Sequence, residues 1–241
     1  VLKRLLPVLS SLLLFSAATA QRSKATPFFK AGFNYRQSNN FSEALIAFEK
    51  AVLLDKKFDS AYVEMGNIYS GGGKNDLALY NYKKALEINP TYVAALTGMG
   101  KIYRDGKHDL DSAIFYYNAA EQLDKTNKET YYALAWIYNA KREHEKAIPY
   151  AVRSLEIDNT YRPAYGELGF AYRVTKKYTE AIEQFKKNLA VSVVDVAFLY
   201  IGYCYTELNN KEGAMQQYEE LKKINPTMAG ALIKKIDSMP Q

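Results

Sequence analysis

Beyond the first two dozen residues, small and apolar side chains recur every three or four positions in blocks of about a dozen residues, and polar turn-formers separate the blocks. That period belongs to helices with one buried stripe. Tyr62, Met65, Gly66 and Tyr69 mark one such helix, and Ala78, Tyr82 and Ala85 mark the next. Between them, Ser70-Gly71-Gly72-Gly73-Lys74-Asn75-Asp76 cannot continue a helix. Comparable breaks stand at Ser38-Asn39-Asn40, Asp105-Gly106-Lys107 and Asn209-Asn210. Asn89-Pro90 and Asn225-Pro226 close second helices, because the residue before proline is pushed away from helical angles.

The paired helices repeat. A small residue recurs at Gly32, Gly66, Gly100, Ala135, Gly169 and Gly202, with steps of 34, 34, 35, 34 and 33. Three residues after each stands Tyr35, Tyr69, Tyr103, Tyr138, Tyr172 or Tyr205, and an alanine series follows at Ala44, Ala78, Ala113, Ala147, Ala181 and Ala214. Aromatics at Phe48, Tyr82, Tyr117, Phe185 and Tyr218 are expected to fill the space between neighbouring repeats, and the small residue to let paired helices approach, with room for no more than a methyl group. Ala151 replaces the aromatic in the fourth repeat, and Ser154, Asn188 and Leu221 replace the late alanine seen at Ala51, Ala85 and Ala120. The third repeat has one extra residue, which the spacing assigns to the surface turn at Lys107-His108-Asp109-Leu110. The fifth is one short, and its joint at Val191 to Asp195 is expected to set an altered angle or to pack inward.

With these residues the chain resembles the tetratricopeptide repeat family, a helix-turn-helix of about 34 residues. The resemblance covers residues 25 to 227, as repeats near 25–58, 59–92, 93–127, 128–161, 162–194 and 195–227. It implies an all-α fold: thirteen helices in a right-handed superhelical solenoid of six helix-turn-helix repeats, ending in a capping helix within 228–241. Ala229 to Asp237 has the right character for that cap, since Lys234, Lys235 and Asp237 alternate with Leu232, Ile233 and Ile236.

Residues 1–20 differ from the rest. Lys3 and Arg4 precede an apolar run from Leu5 to Phe15 and a close at Ala18-Thr19-Ala20, the pattern of a cleaved secretory leader, with 21–24 a short segment before the repeats. The run is shorter than the roughly 20 residues that span a bilayer. An exported, periplasmic or secreted bacterial protein is the expectation, touching a membrane only through partners or an uncleaved leader. Without Lys3 and Arg4 the formal charge falls from +6 to +4, and it is spread along the repeats, which argues against nucleic acid.

Chemistry is sparse. His108 and His144 are expected in turns, away from any second ligand, so neither metal nor cofactor is expected. The glycine run before Lys74 has Ile68 and Asn75 where a phosphate loop needs Gly and Ser or Thr. Cys204 shares the register of Ile68, Ile102 and Ile137 and reads as a buried small hydrophobe. No enzyme is expected.

In the family the first helix of each repeat lines the partner surface. Three residues before the small position, that surface holds Phe29, Val63, Thr97, Tyr132, Gly166 and Leu199; one after it, Phe33, Asn67, Lys101, Trp136, Phe170 and Tyr203; four after it, Arg36, Ser70, Arg104, Asn139, Arg173 and Thr206. Aromatics and arginines dominate binding energy. Phe29, Phe33, Arg36, Lys101, Arg104, Tyr132, Trp136, Phe170, Arg173, Tyr200 and Tyr203 are therefore the candidate partner-binding residues, around Trp136 and for an acidic peptide or protein segment. Co-chaperones of the family clamp a terminal carboxylate with Lys and Asn, and the corresponding positions here (Phe29, Phe33, Gly98 and Glu129, or Val63, Asn67, Ala133 and Pro163) lack that set. An interaction scaffold in an envelope assembly or secretion machine fits these features. The alternative is a structural spacer that contacts partners through its turns and convex face.

Overall fold

The computed structural model describes residues 2–191 and 195–240, with side chains for 19–189 and 195–240. Among the described residues every regular element is helical: α1 (Leu2–Gln37), α2 (Phe41–Leu54), α3 (Asp59–Gly71), α4 (Asn75–Ile88), α5 (Val93–Lys101), a π-helical turn (Ile102–Gly106), α6 (Leu110–Leu123), α7 (Lys128–Ala140), α8 (His144–Ile157), α9 (Arg162–Val174), α10 (Tyr178–Val191), α11 (Asp195–Glu207), α12 (Lys211–Ile224) and α13 (Pro226–Asp237). The chain is an all-α repeat solenoid whose helices pack pairwise in two compact units, residues 1–123 and 124–241. The joint expected at Val191 to Asp195 lies largely outside the described residues. Helix α1 runs without a break through residues 21–24 into the first repeat.

Each repeat contributes its own layer of buried alanines. The alanines Ala44, Ala78, Ala113, Ala147, Ala181 and Ala214 are all fully buried. Ser154, which replaces a late alanine, is also buried, and its hydroxyl donates to the Lys128 carbonyl at 2.9 Å, so no polar atom is stranded there.

The small position has a different cause from the one expected. A methyl on Gly32 would lie 2.7 Å from the Phe48 ring, on Gly66 2.6 Å from Tyr82, on Gly100 2.9 Å from Tyr117 and on Gly169 2.9 Å from Phe185. An aromatic ring of the second helix lies against the glycine, so there is no room even for a methyl. Tyr82 also covers Gly98 of the next repeat, where an added Cβ would be 2.5 Å away, so the ring spans the gap between repeats as well. In the sixth repeat Leu232 of the capping helix, rather than Tyr218, occupies the space over Gly202. Alanine is accommodated only at Ala135, in the repeat whose aromatic is reduced to Ala151; both are fully buried. The methyl gained at Ala135 accompanies the ring lost at Ala151.

The turns share one hydrogen bond. The carbonyl of Tyr35, Tyr69, Tyr138, Tyr172 and Tyr205 accepts from the amide five residues on, at 2.8 to 2.9 Å. The residue before each donor is left-handed: Asn39, Gly73, Arg142, Lys176 and Asn209. In the third repeat Tyr103 bonds Asp109 at 2.8 Å, six residues on, and His108 is the left-handed one. The extra residue therefore sits upstream of the turn, inside the π-helical turn, where the Lys107 amide reaches the Ile102 carbonyl at 3.0 Å. The surface loop does not absorb it.

At the C-terminus the Asn225 side chain accepts from the Met228 amide at 3.1 Å, and Pro226 begins α13 where its missing N–H costs nothing. Ala229, Leu232 and Ile236 are buried against the last repeat, while Lys234, Lys235 and Asp237 remain exposed.

Candidate functional site

The candidate residues separate into three groups. Phe29 belongs to the core: its ring stacks on Phe58 at 4.9 Å and tilts against Phe48 at 5.6 Å. Tyr203 packs in the last core layer, and Tyr132 meets Tyr161 edge-on at 5.7 Å. Among the cations, Arg36 lies over Phe33 at 5.1 Å and pairs with Glu64 at 3.1 Å. Arg104 closes on its neighbour Asp105 through two bonds of 2.6 and 2.9 Å, and Lys101 is exposed beside them. The third group converges. Trp136, Phe170 and Tyr200 line a cavity of about 390 Å³ in the C-terminal unit, and Arg173 lies over Phe170 at 5.2 Å and over Tyr200 at 4.5 Å.

A register rule explains this sorting. At three of the joints within the compact units, the side chain four after the small position meets the one two before the next small position. Arg36 meets Glu64 in this way, and the Asn139 amide donates to the Glu167 carboxylate at 2.9 Å. For Arg173 the facing residue is Tyr200. An aromatic face attracts the guanidinium but does not neutralise it. Among the described residues no carboxylate lies within ion-pair distance of Arg173, and its buried Nε has no hydrogen-bond partner.

The rest of the cavity wall combines apolar and amide groups. Phe185, Val196 and Ala197 continue the apolar side, and Gly166 opens the wall opposite Asn188, whose buried Oδ1 has no partner. Gly166 and Asn139 stand in the first-helix series and Asn188 stands out as a lost alanine. Phe185 stands in the aromatic series as a packing residue, and Val196 carries no such mark in the sequence.

His144, expected in a turn, is instead the first residue of α8. Its ring meets Phe170 edge-on at 5.6 Å, and its Nδ1 lies 3.1 Å from the Asn139 Oδ1. Because the Asn139 amide NH2 is engaged with Glu167, its oxygen is the acceptor and the His144 Nδ1 carries the proton. Burial, then the positive charges of Arg142 and Arg173, hold the imidazole below its ordinary pKa. Cys204 is buried, and desolvation pushes its thiol up to about 12, which removes thiolate chemistry near neutral pH. The site offers apolar walls, amides and one uncompensated cation, which suits binding.

Tetratricopeptide repeat models match residues 25–58, 128–161 and 196–227, and a TPR repeat model matches 66–105, together more than half of the chain. The chain belongs to the tetratricopeptide repeat family. It is similar to the crystal structure of YrrB, a TPR protein with an unusual peptide-binding site, at 25% identity and a TM-score of 0.71 over 78% of this chain and 98% of that one. It shares its fold with PilF of Pseudomonas aeruginosa (16% identity, TM-score 0.77, 90% and 99% covered) and with PilW, a type IV pilus biogenesis factor (18%, 0.72, 87% and 98%). A comparison with curated protein sequences finds no match. Members of the family are in general interaction scaffolds.

Proposed function

We propose that the protein is an exported interaction scaffold whose C-terminal unit anchors a partner by one bulky apolar or aromatic side chain in the Trp136 cavity, with an adjacent carboxylate on Arg173. The observation that carries this reading is the uncompensated guanidinium laid across two of the aromatic rings that wall the cavity. Export is inferred from Lys3, Arg4, the apolar run Leu5 to Phe15 and the small residues ending at Ala20. A role in an envelope assembly or secretion complex follows from export together with the likeness to PilF and PilW, which itself extends to fold alone.

A spacer that meets partners through its outward faces is the second reading, and one observation favours it. Ile46, Tyr80 and Phe115 occupy one register on α2, α4 and α6 and are 53%, 57% and 66% exposed. In-cell crosslinking of the tagged chain separates the two readings. Trp136→Ala and Arg173→Gln should each reduce partner recovery with an unchanged melting temperature. Recovery that survives both changes and is lost with Tyr80→Lys and Phe115→Lys would establish the spacer instead.

A further inference from the structure

We propose that the N-terminal unit holds a second docking pocket, for a bulky apolar side chain of a partner polypeptide flanked within two residues by a side-chain carboxylate. This proposal stands independently of the Arg173 site. The pocket encloses about 560 Å³ between the first and second repeats, within the range of sites that bury a ligand group. Phe41, Leu45, Ile68 and Tyr69 form its apolar wall, and no acidic residue lines it.

Its existence follows from what the second repeat lacks. In the fifth repeat the equivalent positions hold Phe170, Val174 and Thr175, and Phe170 is closed over by His144. Here the same four positions hold Asn67, Gly71, Gly72 and Phe41. A Cβ added at Gly71 would touch nothing within 4 Å, so space is left where a valine stands elsewhere, and Phe41 is left 48% exposed. An open apolar wall of this kind loses contacts that an incoming side chain restores.

Charge selects the occupant. Arg36 is compensated by Glu64, but Lys74 makes no ion pair or side-chain hydrogen bond among the described residues, so the lining carries one net positive charge. Asn67 accepts the Tyr82 hydroxyl at 2.8 Å through Oδ1, which leaves its NH2 to donate. The amides of Gly72, Gly73 and Lys74 are already bonded to the carbonyls of Ile68, Ser70 and Tyr69, so the glycine run offers no cradle for a phosphate. Recognition rests on one ammonium and one amide beside an apolar hollow, which fits a carboxylate next to a large hydrophobic residue.

The test is a nuclear magnetic resonance titration of the isotope-labelled full chain with the capped peptide acetyl-Asp-Phe-Leu-Asp-amide. Saturable shifts are expected at the Gly71, Gly72 and Lys74 amides. Affinity should fall at least tenfold with the Asn-for-Asp peptide and by a similar factor with Lys74→Gln. Gly71→Val with Gly72→Thr, which installs the residues of the fifth repeat, should abolish those shifts at an unchanged melting temperature. If that pair lowers the melting temperature, Gly71→Ala with Lys74→Gln serves as the binding-deficient variant. Absence of saturable shifts, equal binding of both peptides, or binding by 4-phenylbutyrate in preference to the peptide overturns the proposal.

Discussion

Arg36 and Arg173 occupy the same register of the first and fifth repeats, and each lies over a phenylalanine of matching register at nearly the same distance, 5.1 and 5.2 Å. One is paired and the other is not. The difference lies outside both arginines, at the residue two before the next small position: Glu64 in the N-terminal unit and Tyr200 in the C-terminal unit. In a solenoid the availability of a cation is decided by the neighbouring repeat, so a list of basic residues overstates the basic surface. The packing registers differ in the same way. The N-terminal unit lays Tyr82 on Gly66, whereas the fourth repeat of the C-terminal unit sets Ala151 beside Ala135 and only its fifth keeps a ring, Phe185, on the glycine.

Exchanging residues between the two units breaks these differences in order of size. Ala151→Phe, which gives the fourth repeat the ring of the first, should overpack against Ala135 and lower unfolding stability by about 3 kcal/mol in a denaturant titration. Adding Ala135→Gly should recover all but roughly 1 kcal/mol, the helix cost of glycine. Next comes Tyr200→Glu, which supplies Arg173 with the carboxylate that Arg36 already has. A nuclear magnetic resonance titration with the capped peptide acetyl-Asp-Phe-Leu-Asp-amide, followed at the Gly166 and Phe170 amides, should show about tenfold weaker binding at the Trp136 cavity, the loss of one charge-assisted contact.

The turns provide a smaller contrast. Gly73 is left-handed at φ 71°, whereas Arg142 holds φ 61° with a full side chain. Gly73→Ala should cost about 1 kcal/mol and Arg142→Gly should gain somewhat less, both read from melting temperatures. The smallest effect is expected from pH. The folded state depresses the His144 pKa below 6.5, so its contribution is complete above that value and is lost as pH falls through the window below it. The melting temperature should therefore drop more as pH falls from neutral into the acidic range below 6.5 in the native chain than in His144→Phe, the residue present at Phe41.

Which parts were legible follows from how local each determinant is. The helix pairs, the alanine series and the capping helix were readable because each buried position obeys a period within its own helix. Cys204 was readable for the same reason, from its register with Ile68, Ile102 and Ile137. Phe29 shows where this stops. Helical geometry gives the face of α1 that it shares with Phe33, but only the position of Phe58 decides that its ring turns inward. Arg173 and the Asn67 pocket depend on what stands one repeat away, and the location of the extra residue depended on which carbonyl the turn chose to satisfy.

That last choice has a consequence for how such a chain can change over generations. One residue inserted into an α-helix turns everything beyond it by about 100°, yet the wide turn at Ile102–Gly106 takes up the surplus before His108 and returns Ala113 to its buried place. A single-codon insertion at this point is silent for the repeats downstream. Such an array can gain a residue mid-helix without the next buried alanine falling out of step.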